Sequence, residues 1–433
     1  MNAMKMKNQC SRRDFLATVA TVGAGAASIP SSAWSAEEVD PKVSSLVAST
    51  MGIDTHNHID VPPMAADLPG PDLDLAGEMK RSGLSAICAT FAVDYQRLGE
   101  PGVAYDRFLN ALKAMDAQLQ RNHMQRALNL KDLQAAHQQG QPIIIQAVEG
   151  GHFLEGHLER VEVAYNLGLR VLGLLHDSDA SVPLGDIYTN PPRWGGLTEF
   201  GGNVIKECNR LGILVDLTHC SAETVAAALK LSSQPMVFTH TGLDTRLGNN
   251  PSMGQMMRPR LLSKEHAKVI ADAGGVVGVW THLVDSPAEY VQAVRDMAEV
   301  VGIDHVCLGT DTKLTPGGNR GGFGGPGGGR PPGRPDGGPN GAPNGFGGPG
   351  GGTNGFGGRP DGGQRGPMPG GGPGGRGQRF GERTNQVWAD QKSGFYYSVV
   401  EQMLKQGFTP EEIGKVGGGN FCRAFDAATA GHI

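Results

Sequence analysis

Residues 201–240 read GGNVIKECNR LGILVDLTHC SAETVAAALK LSSQPMVFTH, and one pattern occurs twice within them. A stretch of helical periodicity at 201–211 runs into the apolar run ILVDLTH at 213–219. A second helical stretch at 221–231, with Ser221 placed as its N-cap, runs into MVFTH at 236–240. Short apolar runs bounded by turns read as strands buried on both faces, and a helix between two such strands makes them parallel neighbours. Each run also ends in a histidine, His219 or His240.

The same arrangement extends outward in both directions. Further apolar runs ending in polar residues lie at 51–54 (MGID), 142–149 (PIIIQAVE), 171–176 (VLGLLH) and 305–311 (HVCLGTD). Helical patterns lie between them at 156–167 and 263–273, the latter capped by Ser263. Alternating strands and helices predict an α/β fold with a parallel sheet. Chemically useful residues at the carboxyl end of strand after strand predict that the sheet closes into a (β/α)8 TIM barrel, with its site on that face.

The chain has 67 Gly and 28 Pro, many of them between residues 316 and 383. That stretch repeats GGFGG, NGFGG and GRPDGG; it cannot bury a core and is expected to be a disordered insert. The expected barrel domain is therefore split, 37–315 and 384–433, and helical periodicity returns at 384–404 and 410–427. The insert carries eight Arg against Asp336, Asp361 and Glu382, a net +5, so an Arg- and Phe-studded binding segment and a tolerated loop are both open readings.

Residues 1–36 read as a twin-arginine signal peptide: SRRDFL at 11–16 precedes a mildly apolar run rich in Ala, Gly, Ser and Thr. An ordinary secretory signal or a retained anchor is the alternative, although small and polar residues interrupt the run. Cleavage is expected near Ala33 or Ala36, which places the protein in the periplasm or cell envelope. The leader carries +3, so the net charge of −5 becomes about −8, and a nucleic-acid partner is not expected. Cys88, Cys208, Cys220, Cys307 and Cys422 are scattered, odd in number and without a CxxC pair, which predicts buried free thiols.

The chemistry starts at DTHNH, residues 54–58. Alternation along a strand puts His56 and His58 on one face, where they can hold one metal together or form a satisfied polar pair. Glu149, His219, His240 and Asp311 end other apolar runs, where polar groups are costly unless something binds them. Neutral imidazoles, one bridging carboxylate and a second carboxylate are the ligand set of a two-zinc site.

With QAVEGGH at 146–152, NPPRWGGLT at 190–198, NRLGILVDLTH at 209–219, RPRLLS at 258–263, LGTD at 308–311 and GNF at 419–421, the sequence resembles the membrane dipeptidase (renal dipeptidase) family, peptidase family M19 of the amidohydrolase superfamily. The resemblance runs from about residue 52 to 425 apart from the insert. It implies that His56 and residue 58 hold a first zinc, that Glu149 bridges two ions, and that His219 and His240 hold the second. It implies that Asp311 touches the first zinc and takes the proton from the bridging water as general base, and that His176 polarises the scissile carbonyl. Arg260 matches the arginine that grips the carboxylate of a dipeptide, and His152 falls outside the ligands as a neighbour of the site. The chain departs from the family at His58, where aspartate is usual, and at Asp177-Ser-Asp179, where an asparagine-containing segment is common.

The resemblance thus implies a zinc-dependent dipeptidase with two Zn(2+) per chain. The expected partners are a small dipeptide substrate, the twin-arginine export machinery and a second copy in a homodimer, with no stable membrane span. A different amidohydrolase activity, on an N-acyl amino acid, lactone or β-lactam, is the second reading, and a non-catalytic binding protein on the same barrel is the third.

Overall fold

Residues 53–58 enter the sheet as β1 (Ile53–His58), and seven more strands follow: β2 (Ala86–Ala92), β3 (Ile143–Glu149), β4 (Leu169–Gly173), β5 (Leu214–Asp216), β6 (Val237–Thr241), β7 (Val276–Val279) and β8 (Val306–Leu308). Each pairs in parallel with the next, and β1 pairs with both β2 and β8, so the sheet closes on itself. A short β9 (Thr312–Lys313) continues the line of β8 along β1. Helices pack outside, and the protein is a (β/α)8 barrel. The computed structural model describes residues 39–189, 191–315 and 383–431. The expected signal peptide (1–36), and the insert (316–383) up to its final residue, lie outside the described residues.

Two apolar layers hold the barrel. Between strands and helices lies one continuous core that includes Ile87, Phe108, Phe153, Leu172, Phe238 and Tyr290. Ile53, Ile143 and Val276, at the starts of their strands, pack instead with Phe421 and Phe425 of the last helix, Asn420–Thr429. That helix closes the amino end of the barrel, and each buried Phe contributes roughly 1.5–3 kcal/mol. The carboxyl end is left as the open end. The five cysteines outside the expected leader are buried and free, as their spacing predicts. Among the described residues no helix is long and apolar enough to cross a membrane.

Six of the eight strands match the apolar runs, with shifted ends. β1 extends through His58, β4 and β5 stop before His176 and His219, and β8 stops at Leu308. β2 and β7 have no counterpart among those apolar runs: three of the seven residues of the first are Ala, and the second has four residues, one of them Gly278. The helical pattern at 156–167 forms only Arg160–Asn166, because Glu155 and Gly156 turn through positive φ (46° and 86°). The pattern at 384–404 becomes helix only from Phe395, since Gly394 lies against the Arg81 carbonyl where any Cβ would collide. Residues 410–427 form a helix interrupted by a π turn, Lys415–Gly419, whose Gly417 and Gly418 press on Tyr396 and the Met51 carbonyl.

Candidate metal centre at the carboxyl end of the barrel

The alternation of β1 does what the spacing predicts, and His56 and His58 bring their Nε2 atoms to 3.3 Å of one another. Glu149, the last residue of β3, lies beneath them. Its Oε1 is 2.8 Å from His219 Nε2, 3.5 Å from His56 Nε2 and 3.6 Å from His240 Nε2, and its Oε2 is 3.2 Å from His176 Nε2. Asp311 sits in the break between β8 and β9 at φ +55°, an uncommon conformation for a side chain-bearing residue. From there its Oδ1 reaches His58 Nε2 at 3.1 Å and its Oδ2 reaches His282 Nε2 at 3.0 Å.

Three overlapping groups of donors could each hold a cation: His56, His58 and Asp311; His56, Glu149 and His240; and Glu149, His176 and His219. Within each group the donor atoms lie within 4.8 Å of one another. Glu149 belongs to two of these groups, the position a bridging carboxylate needs. His240 is grouped with His56, and His219 with His176, whereas the family resemblance pairs His219 with His240.

The residues fit a metal on three counts. Five imidazoles turn Nε2 inward while their Nδ1 edges face neighbours outside the cluster: Thr239 for His56 and His240, Tyr95 for His58, Asp94 for His176 and Asp177 for His219. His240 Nε2 is fully buried without a hydrogen-bond partner among the described residues, a cost that a ligand removes. The charge states of Glu149, Asp311, His56 and His240 suit cation binding as well, whereas His58, His176 and His219 are raised and would give up a proton to a cation.

Burial alone would raise both carboxyl groups. For Glu149 the charges of His176 and His56 and the His219 hydrogen bond outweigh it and hold the group well below the usual range. For Asp311 the His240 charge and the hydrogen bonds of His282 and His58 do the same. Burial lowers His56 to about 4, and burial with the neighbouring His56 lowers His240 further, so both are neutral at pH 7. Burial also opposes the charge on His219, but Asp177 and Glu149 outweigh it and raise that group to about 9.

Arg260 lies over the mouth, its Nη2 3.4 Å from His219 Nε2 and its Nη1 3.9 Å from Asp311 Oδ2, between the rings of Tyr188 and Trp280. His152 stands behind the cluster. Its Nε2 is 2.9 Å from the Ser178 carbonyl and 3.5 Å from Asp94 Oδ2, and it belongs to none of the three donor groups.

Asp94, Tyr95, Asp177, Tyr188, Asp216, Thr239 and His282 also shape the site and were not singled out from sequence as site residues. Two of them carried a usable signal. Asp94 follows the apolar β2 and His282 follows β7, so both obey the rule that exposed Glu149, but their strands were not recognised. Asp177 stands in the segment already noted as unusual for the family.

A family model described as membrane dipeptidase (peptidase family M19) matches residues 42–320. Several solved structures share the fold. An amidohydrolase from Pseudomonas aeruginosa superposes with a TM-score of 0.62 at 19% identity, covering 89% of this chain and 98% of that one. A probable dipeptidase from the same organism gives 0.61 at 17% identity over 90% and 98%. A metallopeptidase from Rhodobacter sphaeroides, solved with a phosphinate mimic of the dipeptide L-Ala-D-Ala, gives 0.56 at 17% identity over 88% and 99%.

Proposed function

The chain belongs to the membrane dipeptidase family, peptidase family M19, hydrolases that act on peptide bonds, and from that premise we propose that it is a two-zinc exo-dipeptidase acting on free dipeptides. One observation carries the reading. Two buried anionic carboxylates, Glu149 and Asp311, stand among five inward-turned Nε2 atoms, with one guanidinium, Arg260, over the mouth. In this reading His56, His58 and Asp311 would hold one cation and His219 and His240 the other, with Glu149 shared between them. Cations held there supply Lewis acidity to the water and to the scissile carbonyl.

The protein's own groups divide the remaining work. Arg260 is suited to take the substrate's terminal carboxylate on two parallel N–H bonds, which selects peptides that end one residue beyond the scissile bond. His176, its Nδ1 2.6 Å from Asp94 Oδ1, presents Nε2 toward the carbonyl oxygen on which charge develops. Asp311 accepts the proton of the attacking water as the C–O bond forms and the carbonyl carbon becomes tetrahedral, and it then gives that proton to the amine nitrogen as the C–N bond breaks. The Rhodobacter protein's L-Ala-D-Ala mimic supports including L,D pairs among the substrates tested.

The test joins metal content to turnover. The expected result is two zinc ions per chain and hydrolysis of a free dipeptide, with little hydrolysis of the same dipeptide amidated at its carboxyl end. Equal rates on both would remove the role of Arg260. Turnover of N-acyl amino acids or lactones alone would replace the substrate class.

Export by the twin-arginine route completes the proposal and rests on SRRDFL at 11–16. Replacing Arg12 and Arg13 by Lys is expected to trap precursor in the cytoplasm, and normal export of that variant would refute the route.

A further inference from the structure

Four of the five inward-turned histidines differ in how they are held from behind. His176 leans on Asp94 and His219 lies 3.2 Å from Asp177, so each has a carboxylate of its own. His56 and His240, on different strands, instead share a single hydroxyl. Thr239 Oγ1 is 3.2 Å from His56 Nδ1, 3.1 Å from His240 Nδ1 and 2.6 Å from Asp216 Oδ2. We infer that Thr239 is a positioning residue common to two metal-ligand histidines, accepting Nδ1–H from both rings while giving its own proton to Asp216.

The inventory of hydrogens leads to this assignment. A threonine hydroxyl has one proton and two lone pairs, and four polar neighbours surround this one: the two rings, Asp216 Oδ2 and, at 3.4 Å, Thr218 Oγ1, whose own proton goes to Asp216 Oδ1 and so claims neither lone pair. Asp216 Oδ1 already accepts from Thr218 N, Thr218 Oγ1 and Thr239 N, and Oδ2 faces the Thr239 hydroxyl. The hydroxyl proton therefore goes to Oδ2, and both lone pairs remain for the imidazoles. Each ring must then carry its proton on Nδ1, which leaves Nε2 with a bare lone pair facing Glu149. That is the tautomer a metal ligand needs.

The backbone holds Thr239 as firmly as its side chain does. Its N–H points at Asp216 Oδ1 and Thr218 Oγ1, and its carbonyl accepts from Thr55 Oγ1 at 2.7 Å. The β6–β7 register shifts between Phe238 and Thr241, which frees that carbonyl from the ladder. Gly278 and Gly309 leave the room it occupies, since a Cβ at either would run into it. Through the one hydroxyl, a ligand from each half of the proposed zinc pair depends on the same proton.

This inference rests on the metal reading of the site, and zinc binding by the intact chain separates failure of one from failure of the other. The experiment compares wild type, Thr239→Val, Thr239→Ser and Thr218→Val by chelator-competition titration with Zn2+, by metal content after dialysis and by the visible spectrum of Co2+-loaded protein. Thr239→Val is nearly isosteric and is expected to bind zinc about 10- to 100-fold more weakly, with an altered Co2+ spectrum. Thr239→Ser restores the hydroxyl and should restore both readouts. Thr218→Val removes the other hydroxyl that Asp216 accepts; that hydroxyl steadies Thr239 through its N–H but touches neither ring, so the variant should lower thermal stability and cost clearly less affinity than Thr239→Val. Should Thr239→Val not accumulate as folded protein, Thr239→Cys, a weak acceptor, takes its place and is read the same way.

Wild-type affinity in the Thr239 variant, or an equal loss of affinity in Thr218→Val, would overturn the shared brace alone. A wild-type protein that binds no zinc would overturn the functional reading and this inference with it.

Discussion

His58 is where the chain departs from its family's usual aspartate, and its Nε2 lies 3.1 Å from Asp311 Oδ1 and 3.3 Å from His56 Nε2. If it is a ligand, His58→Ala should lower zinc content toward one per chain and His58→Asp should keep two, as counted by elemental analysis after dialysis. Two ions retained in the alanine variant would make the residue a bystander. Asp94 is a different case, since it touches His176 and Ser178 but belongs to no donor group. Burial raises its carboxyl, but the hydrogen bond and charge of His176, with the His152 charge and Ser178, outweigh that and hold it below the usual range. Asp94→Asn should therefore lower kcat about 10- to 100-fold, through a misdirected His176, while KM and zinc content change little. An equal loss of zinc would move His176 from the carbonyl to the metal, an outcome that its grouping with Glu149 and His219 makes worth measuring.

At the scale of elements, the barrel depends on close approach inside its wall. Gly309, just past β8, faces the Thr239 carbonyl and Thr55 Oγ1, with no space for a Cβ. Gly309→Ala should destabilise by about 1–3 kcal/mol, as overpacking does, while Gly99→Ala, where nothing lies within 4 Å, should stay within about 0.5 kcal/mol. Urea unfolding of the two variants measures the difference, and equal midpoints would mean that β6 and β8 yield freely. The strands were legible where an apolar run ended in a strong ligand: Glu149 marked β3, and His240 marked β6. β2 and β7 were not legible, because three small alanines dilute the first and the second is only four residues long with a glycine among them. Asp94 and His282 were hidden with them.

On the scale of the whole molecule, the insert leaves after Thr315 and returns at Arg383, and Lys313 and Arg383 form a parallel bridge, so its two ends lie side by side. The Arg383 guanidinium bonds the Leu314 carbonyl at 3.1 Å, and Thr384 Oγ1 accepts from Asn57, the residue between His56 and His58. Replacing 317–381 by a short glycine linker should keep cooperative unfolding and zinc content, since each halving of loop length lowers the closure cost by only about 0.6 kcal/mol. Loss of cooperativity in a thermal melt would show that the insert packs on the barrel. The sequence alone determined the barrel, the face that carries the site and seven residues within it: Glu149, His176, His219, His240 and Asp311, which end short apolar runs, and His56 and His58, which alternate along one; it did not single out Asp94, Asp177 or His282 as site residues. Tertiary structure alone decided which nitrogen of each ring faces inward and what holds it there. The hydroxyl that meets His56 lies 183 positions away, and the carboxylate that meets His176 lies 82 positions away. Contacts of that range leave no periodicity in the chain, and only closing the sheet brings their partners within hydrogen-bond reach.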